Sequence, residues 1–153
     1  MLKIEPLSHT HIPALVALHG GSPPGYNAYF TPFAFDEPTL TQILAQRRAD
    51  QYLALLWGDE LAGISMLRGF DQGYSVPSYG VWVAHAYSGR GVARASLAHA
   101  VALCTALGCA ELMLKVSPEN LRARRIYERF GFVQTGDDAR SGQLVLRLPL
   151  EQA

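Results

Sequence analysis

Ser88-Gly89-Arg90-Gly91-Val92-Ala93-Arg94 sets two glycines and two arginines between an apolar strand-like run, Val81-Trp82-Val83, and an alanine-rich helical run. A helix start leaves its first backbone N–H groups without partners, and the aligned peptide dipoles add roughly half a positive charge there. Glycine permits positive φ and removes the β-carbon that would obstruct an anion. Successive N–H groups can then point into one concavity. The segment therefore reads either as a plain strand-to-helix turn or as a phosphate cradle over Gly89–Arg94, with Arg90 and Arg94 adding charge beside it. Spacing argues against two familiar nucleotide motifs. A Walker loop needs a lysine that this turn lacks, and the dinucleotide fingerprint needs a third glycine where Arg94 stands.

Other residues with chemical potential lie downstream. Asn120 opens a helical stretch, and asparagine is a preferred N-cap residue; the other reading is a polar contact to a ligand. Tyr127 falls on the apolar stripe Ala123, Ile126, Tyr127 and Phe130, which by periodicity alone is a buried face. Arg122, Arg124, Arg125, Glu128 and Arg129 read as the solvated face opposite. Cys104 and Cys109 are too few for a disulfide framework and read as small buried residues. The five histidines form no metal-ligand cluster with them, so no metal is expected.

The elements that must position these residues follow from periodicity and turn chemistry. Leu2 to Leu7 alternates like a strand. A short helix follows, capped at Ser8 or Thr10, running to Leu18 and ended by Gly20-Gly21. Gly21 to Phe35 is an aperiodic loop rich in aromatics, a kind of segment that often carries function. Asp36 caps a second helix reaching Ala49, with Leu40, Ile43 and Leu44 on one side. Gln51–Trp57 and Leu61–Phe70 read as a hairpin, and Ser78–Ala84 as a central strand apolar on both faces. Val92–Leu107 is a helix with Ala93, Leu97, Val101, Cys104 and Leu107 on one stripe, ended by Gly108. Glu111–Val116 is a strand, Asn120–Phe130 a helix, and Phe132–Thr135 with Gln143–Leu148 a closing hairpin. The 153 residues form one domain, α/β in content with a mixed sheet.

Two blocks resemble the GNAT superfamily of acetyl-CoA-dependent N-acetyltransferases. The first is Ser88-Gly89-Arg90-Gly91-Val92-Ala93, similar to Q/R-x-x-G-x-G/A, with Ser88 in place of the usual first residue. The second is Asn120, Ala123, Tyr127, Gly131 and Phe132, similar to N-x-x-A-x-x-x-Y-x-x-x-G-F. The resemblance implies an α+β fold: a mostly antiparallel sheet of about seven strands, splayed between strands four and five, with about four helices. It implies acetyl-CoA as co-substrate. The diphosphate would sit on Ser88, Gly89, Arg90, Gly91, Val92, Ala93 and Arg94, the pantetheine arm on the backbone of Trp82 and Val83, and Asn120 near the thioester. Tyr127 becomes the general acid for the departing thiolate. Members often use a carboxylate base near strand four, which residues 78–84 lack; His85 and Asp71 are the base candidates. Tyr26, Tyr29, Phe30, Phe33 and Tyr74 form an aromatic rim for the acceptor.

The implied activity is acetyl transfer to a primary amine of a small molecule, an amino-sugar among the options. The alternatives are a non-catalytic acyl-CoA-binding module and an enzyme acting on a protein or peptide amine. The formal charge of +0, from 13 basic and 13 acidic residues, argues against a nucleic-acid partner. No apolar run approaches the roughly 20 residues of a membrane span. The start of the chain lacks the apolar core of a signal peptide, so a cytoplasmic location is expected. Monomer and homodimer both remain open.

Overall fold

The computed structural model describes residues 1–30 and 32–151. In chain order the elements are β1 (Leu2–Pro6), α1 (Ile12–Gly20), α2 (Glu37–Gln46), β2 (Gln51–Trp57), β3 (Glu60–Arg68) and β4 (Ser78–Val83), then α3 (Val92–Ala106), β5 (Glu111–Val116), α4 (Leu121–Phe130), β6 (Val133–Asp137) and β7 (Leu144–Pro149). The strands make one seven-stranded sheet in the order β1-β2-β3-β4-β5-β7-β6. Every neighbouring pair is antiparallel except β4 with β5, which run parallel.

Two helix layers explain why the middle strands are apolar on both faces. Leu53 to Leu56 and Leu61 to Leu67 are all buried, and all but Gly63 and Ser65 carry apolar side chains. One face packs against α1, α2 and the aromatic loop, through Ile12, Leu15, Leu40, Ile64, Met66 and Trp82. The other face packs against α3 and α4, through Leu67, Tyr79, Leu97, Cys104, Leu112 and Leu114. Central strands covered on both sides need this continuous hydrophobicity, because neither row of side chains meets water. Among the described residues, no helix is long and apolar enough to cross a membrane.

The ends of several elements differ from the sequence expectation for identifiable reasons. β3 stops at Arg68 rather than Phe70, because Gly69 adopts φ 112° and breaks the extended chain. Phe70 then enters a single 3-10 turn, Phe70–Gln72. α2 stops at Gln46 rather than Ala49: Arg47 is extended, at φ −63° and ψ 144°, and its Nε donates to the Asp50 carbonyl at 2.6 Å. The buried face of α3 is Val92, Ser96, Leu97, Ala100 and Cys104, and Leu107 is 56% exposed. The apolar-only stripe misses Ser96 because its hydroxyl is satisfied inside the core by Tyr79 Oη at 2.8 Å.

β3 and β4 approach very closely. An added Cβ on Gly63 would stand 2.2 Å from the Trp82 carbonyl oxygen. Gly63→Ala is therefore expected to destabilise the fold by about 1–3 kcal/mol, the range for forced overpacking. Gly136→Ala, whose Cβ would meet nothing within 4 Å, should stay within about 0.5 kcal/mol. Urea unfolding of both variants checks this; equal midpoints would contradict the close β3–β4 contact.

Candidate active site

β4 and β5 share one register pair, Ser78 with Met113, and the Met113 amide donates to the Pro77 carbonyl at 3.0 Å. Past that point the two strands part. On its other side β4 stays paired with β3 from Arg68–Ser78 to Gly63–Val83. Backbone groups of a strand alternate between neighbours. The Ala84 amide donates to Ala62 at 2.7 Å, and the Trp82 carbonyl faces Gly63, so this set points toward β3. Pro77 and Val83 belong to the other set and face the gap. Of the two residues expected to offer backbone there, Val83 does and Trp82 does not. Trp82 contributes its side chain instead: its indole Nε1 donates to Asn27 Oδ1 at 2.9 Å, and Asn27 Nδ2 donates to the His19 carbonyl at 3.0 Å.

The glycine turn follows β4 directly, through the 3-10 turn His85–Tyr87. Gly89 has φ 79° and Gly91 φ 82°, both left-handed, and Gly91 is the N-cap of α3. The amides of Gly89, Arg90, Gly91, Val92, Ala93 and Arg94 donate to no acceptor among the described residues. A helix start leaves such amides unpaired, and with two left-handed glycines ahead of it the run could take an anion in geometry and in sign. The open space beside Gly91, where an added Cβ would meet nothing within 4 Å, leaves the approach clear. These residues fit the diphosphate of a coenzyme.

The side chains around the turn are arranged differently from the sequence expectation. Arg90 lies over the rings of Trp57 and Tyr87, 5.6 and 5.3 Å from their centroids, and Tyr87 Oη donates to Glu60. Ser88 Oγ donates to the His85 carbonyl at 2.7 Å. The cation that reaches the turn is Arg122, from the first turn of α4: its guanidinium is 3.4 Å from where a Cβ on Gly89 would be. Helical periodicity assigns Arg122 to the solvated face, and only the folding of α4 against the turn reveals it. Asn120 caps α4, its Oδ1 accepting from the Ala123 amide at 3.3 Å. The capping reading of Asn120 is thus realised, and its side-chain amide donors stay available.

Tyr127 sits on the inner face of α4, its ring 5.8 Å from that of Phe132. Its hydroxyl has no hydrogen-bond partner among the described residues, and burial pushes it up to about 12. Tyr79 Oη is raised as well, by burial first and then by the neighbouring Tyr127 phenol, with the Ser96 bond opposing. Both phenols stay protonated at neutral pH.

The expected aromatic rim divides into four places. Tyr29 and Phe30 line a small cavity of about 160 Å³ with Ser78, Tyr79 and Gly80 of β4. Tyr74 lines an outer groove of about 920 Å³ that shares Arg68, Ser78 and Lys115 with the small one. Phe33 lies beneath Arg68, whose guanidinium is 5.6 Å from its ring centroid. Tyr26 is elsewhere: its hydroxyl donates to the Val83 carbonyl at 2.6 Å, and the His85 ring meets it edge-on at 5.1 Å. Burial raises the Tyr26 phenol, with Arg122 and Ser88 opposing. Tyr26 therefore belongs to the cofactor end of β4 rather than to the groove.

Neither base candidate lines either cavity. The Asp71 carboxylate accepts from the amides of Ala49 at 2.6 Å and Arg48 at 3.0 Å, and those bonds hold it below the usual carboxylate range. Its own amide donates to Asp50 Oδ1 at 3.1 Å. That reciprocal clasp ties the α2–β2 connection to the β3–β4 loop, which corrects the expectation of Asp71 as a base. His85 is exposed at the start of the turn toward the cradle.

A parallel pair opened in mid-sheet is followed at its C-terminal end by a glycine turn with unpaired amides, and a protonated phenol lies on the helix after that. The sequence profile of the Acetyltransferase (GNAT) family matches residues 18–132, and the chain belongs to that family of acetyl-CoA-dependent acyltransferases. Among curated proteins, none matches the chain by sequence. Solved structures share the fold at low identity. A domain from Methanocaldococcus jannaschii DSM 2661 superposes with TM-score 0.80 at 15% identity, covering 98% of this chain and 99% of that one. The spermidine N-acetyltransferase from Vibrio cholerae, in complex with CoA and spermine, gives 0.78 at 22%, covering 95% and 92%. The ribosomal-protein-S18-alanine N-acetyltransferase from Escherichia coli gives 0.73 at 21%, covering 100% and 96%.

The raised phenols have a consequence for stability. The unfolded chain ionises tyrosine near pH 10, whereas Tyr127 in the fold does so at about 12. In that window the unfolded state binds fewer protons, so stability falls as pH rises. Urea midpoints measured from about pH 9 to pH 12 should decline, and less steeply for Tyr127→Phe than for the wild type. Parallel slopes would contradict the buried setting of Tyr127.

Proposed function

We propose that the chain transfers the acetyl group of acetyl-CoA to a primary amine of a small molecule, by direct attack within a ternary complex. The observation that carries this reading is the unpaired amide run Gly89–Arg94 at one end of the opened β4–β5 pair, with the unpartnered Tyr127 phenol on α4. Acetyl-CoA supplies the activated acyl group as a thioester. The amides hold its diphosphate, Arg122 adds charge beside them, and the gap-facing groups of Val83 pair with the pantetheine arm as an added strand would. Tyr26 already occupies the Val83 carbonyl, so cofactor entry exchanges one hydrogen bond for another.

Tyr127 Oη keeps its proton at neutral pH and delivers it to the leaving sulfur as a general acid. Direct attack is favoured over an acyl-enzyme because the cysteines are unsuited to carry acyl. Cys104 is fully buried, and burial together with the neighbouring Cys109 pushes its thiol up to about 12. With Asp71 engaged and no Asp or Glu lining the groove among the described residues, the amine releases its proton to groove water. His85 is the remaining side-chain candidate. The narrow inner cavity beside Gly80 favours a small acceptor over a protein chain, and its aromatic wall of Tyr29 and Phe30 suits an amino-sugar.

Coenzyme A release measured across a panel of primary amines tests the reading. Tyr127→Phe should lower kcat by roughly 10²-fold or more, while acetyl-CoA binding measured by calorimetry stays unchanged. Gly91→Asp places a negative charge and bulk on the cradle and should weaken coenzyme A binding by at least about tenfold. An unaltered kcat in Tyr127→Phe would remove the general-acid role.

A further inference from the structure

The groove beside β4 is basic, although the chain as a whole is neutral. Arg68, Lys115, Arg140 and Arg147 line the outer cavity, and no Asp or Glu lines it among the described residues. Carboxylates from outside the lining balance two of these cations: Asp138 pairs with Lys115 at 3.0 Å, and Glu111 with Arg147 at 2.9 Å. Arg68 and Arg140 form no salt bridge among the described residues. Arg68 is held in place by the Phe33 ring and reaches both the outer groove and the inner cavity. A planar guanidinium fixed in this way is shaped to take a carboxylate or phosphate through two parallel hydrogen bonds.

These cations are not an extension of the coenzyme site. They stand at the Ser78 end of β4, whereas the cradle follows its Val83 end. The strand between spans roughly 17 Å at about 3.3 Å per residue. The inner cavity leads from Arg68 past Ser78 to Tyr79 and Gly80, and the Tyr79 phenol neighbours that of Tyr127. An elongated acceptor would place its amine at the inner end and its other end among the arginines.

We propose that the acceptor is an anionic amine: a primary amine that also carries a carboxylate or a phosphate, held by Arg68 and Arg140. This rests on the acetyltransferase reading of the same site. The specificity is twofold. The paired guanidinium donors attract the anionic group, and the same cations repel polyamines, whose several ammonium groups would face like charge.

The experiment compares acceptors that share an amine and differ in charge: an α-amino acid and its carboxamide, a hexosamine 6-phosphate and the free hexosamine, and spermidine. The anionic member of each pair should have the higher kcat/KM, by about tenfold or more, and spermidine should give no turnover above background. The advantage should shrink with added salt. The preferred pair tells carboxylate from phosphate. Arg68→Gln should raise the KM of the anionic acceptor by about tenfold, leave kcat within about twofold, and leave the acetyl-CoA KM unchanged; Arg68→Lys should recover part of the loss. Arg140→Gln, in an exposed loop, repeats the test where folding is not at stake. Preference for the neutral amines or spermidine, or an unchanged KM in both variants, overturns the proposal. Calorimetric binding of the same anionic amines to the coenzyme A-loaded protein separates the two readings. Binding that Arg68→Gln abolishes, without acetylation of any amine, supports the anionic groove while the transfer reading fails. Absence of binding and of acetylation overturns the groove as well.

Discussion

The site depends on a hydrogen-bond ladder that stops after one rung. β4 is held along its length by β3 but pairs with β5 only at Ser78 and Met113. Unmade backbone hydrogen bonds in a protein interior cost about 1–3 kcal/mol each, so an opened pair needs outside partners. Val83 finds one in the Tyr26 hydroxyl. The amides from Gly89 to Arg94 find none among the described residues. The sheet stays open because α3 and α4 pack into the second core on one face, while the aromatic loop covers the other.

That one opening creates two electrostatic environments at opposite ends of β4. At the Val83 end, the positive character comes mainly from backbone: left-handed glycines and a helix start, with Arg122 alongside. At the Ser78 end it comes from side chains, Arg68 and Arg140 above all. Backbone recognition tolerates changes of residue type, which suits a co-substrate common to a whole family. Side-chain recognition can be altered one residue at a time, which suits an acceptor that differs between members. Tyr127, on the inner face of α4, is kept protonated by burial rather than by a hydrogen bond.

Much of this was legible in the residues. Gly89 and Gly91 ahead of an alanine-rich helix specify the cradle because only glycine adopts φ near 80° without strain. Residues 78–84 specify a central strand because both rows of side chains are apolar. Periodicity places Tyr127 on a buried stripe, and the fold has it packed in the second core; its role as an acid is what the resemblance in residues 117–132 implies. What stayed hidden depends on contacts between distant segments. Helical periodicity alone puts Arg122 toward solvent, because its neighbour at Gly89 comes from another element. Asp71 looks like a free carboxylate in the sequence because its clasp on Arg48 and Ala49 spans more than twenty positions. Tyr26 joined the acceptor rim by composition, whereas the fold brings it to Val83, 57 positions away. The basic groove combines cations from β3, β5, the β6–β7 loop and β7 in a chain of zero net charge, so no composition summary could display it.

The proposed coenzyme site rests on unpaired main-chain amides at the start of α3 that would bind a diphosphate. Titration of the isotope-labelled protein with coenzyme A, followed by amide NMR, tests it most directly. The amides of Gly89, Gly91 and Arg94 should move farthest and saturate along a single binding curve, while those of Gly108, past the far end of α3, and Gly142, in the β6–β7 loop, stay still. Saturation with coenzyme A that left the Gly89–Arg94 signals in place would contradict the account.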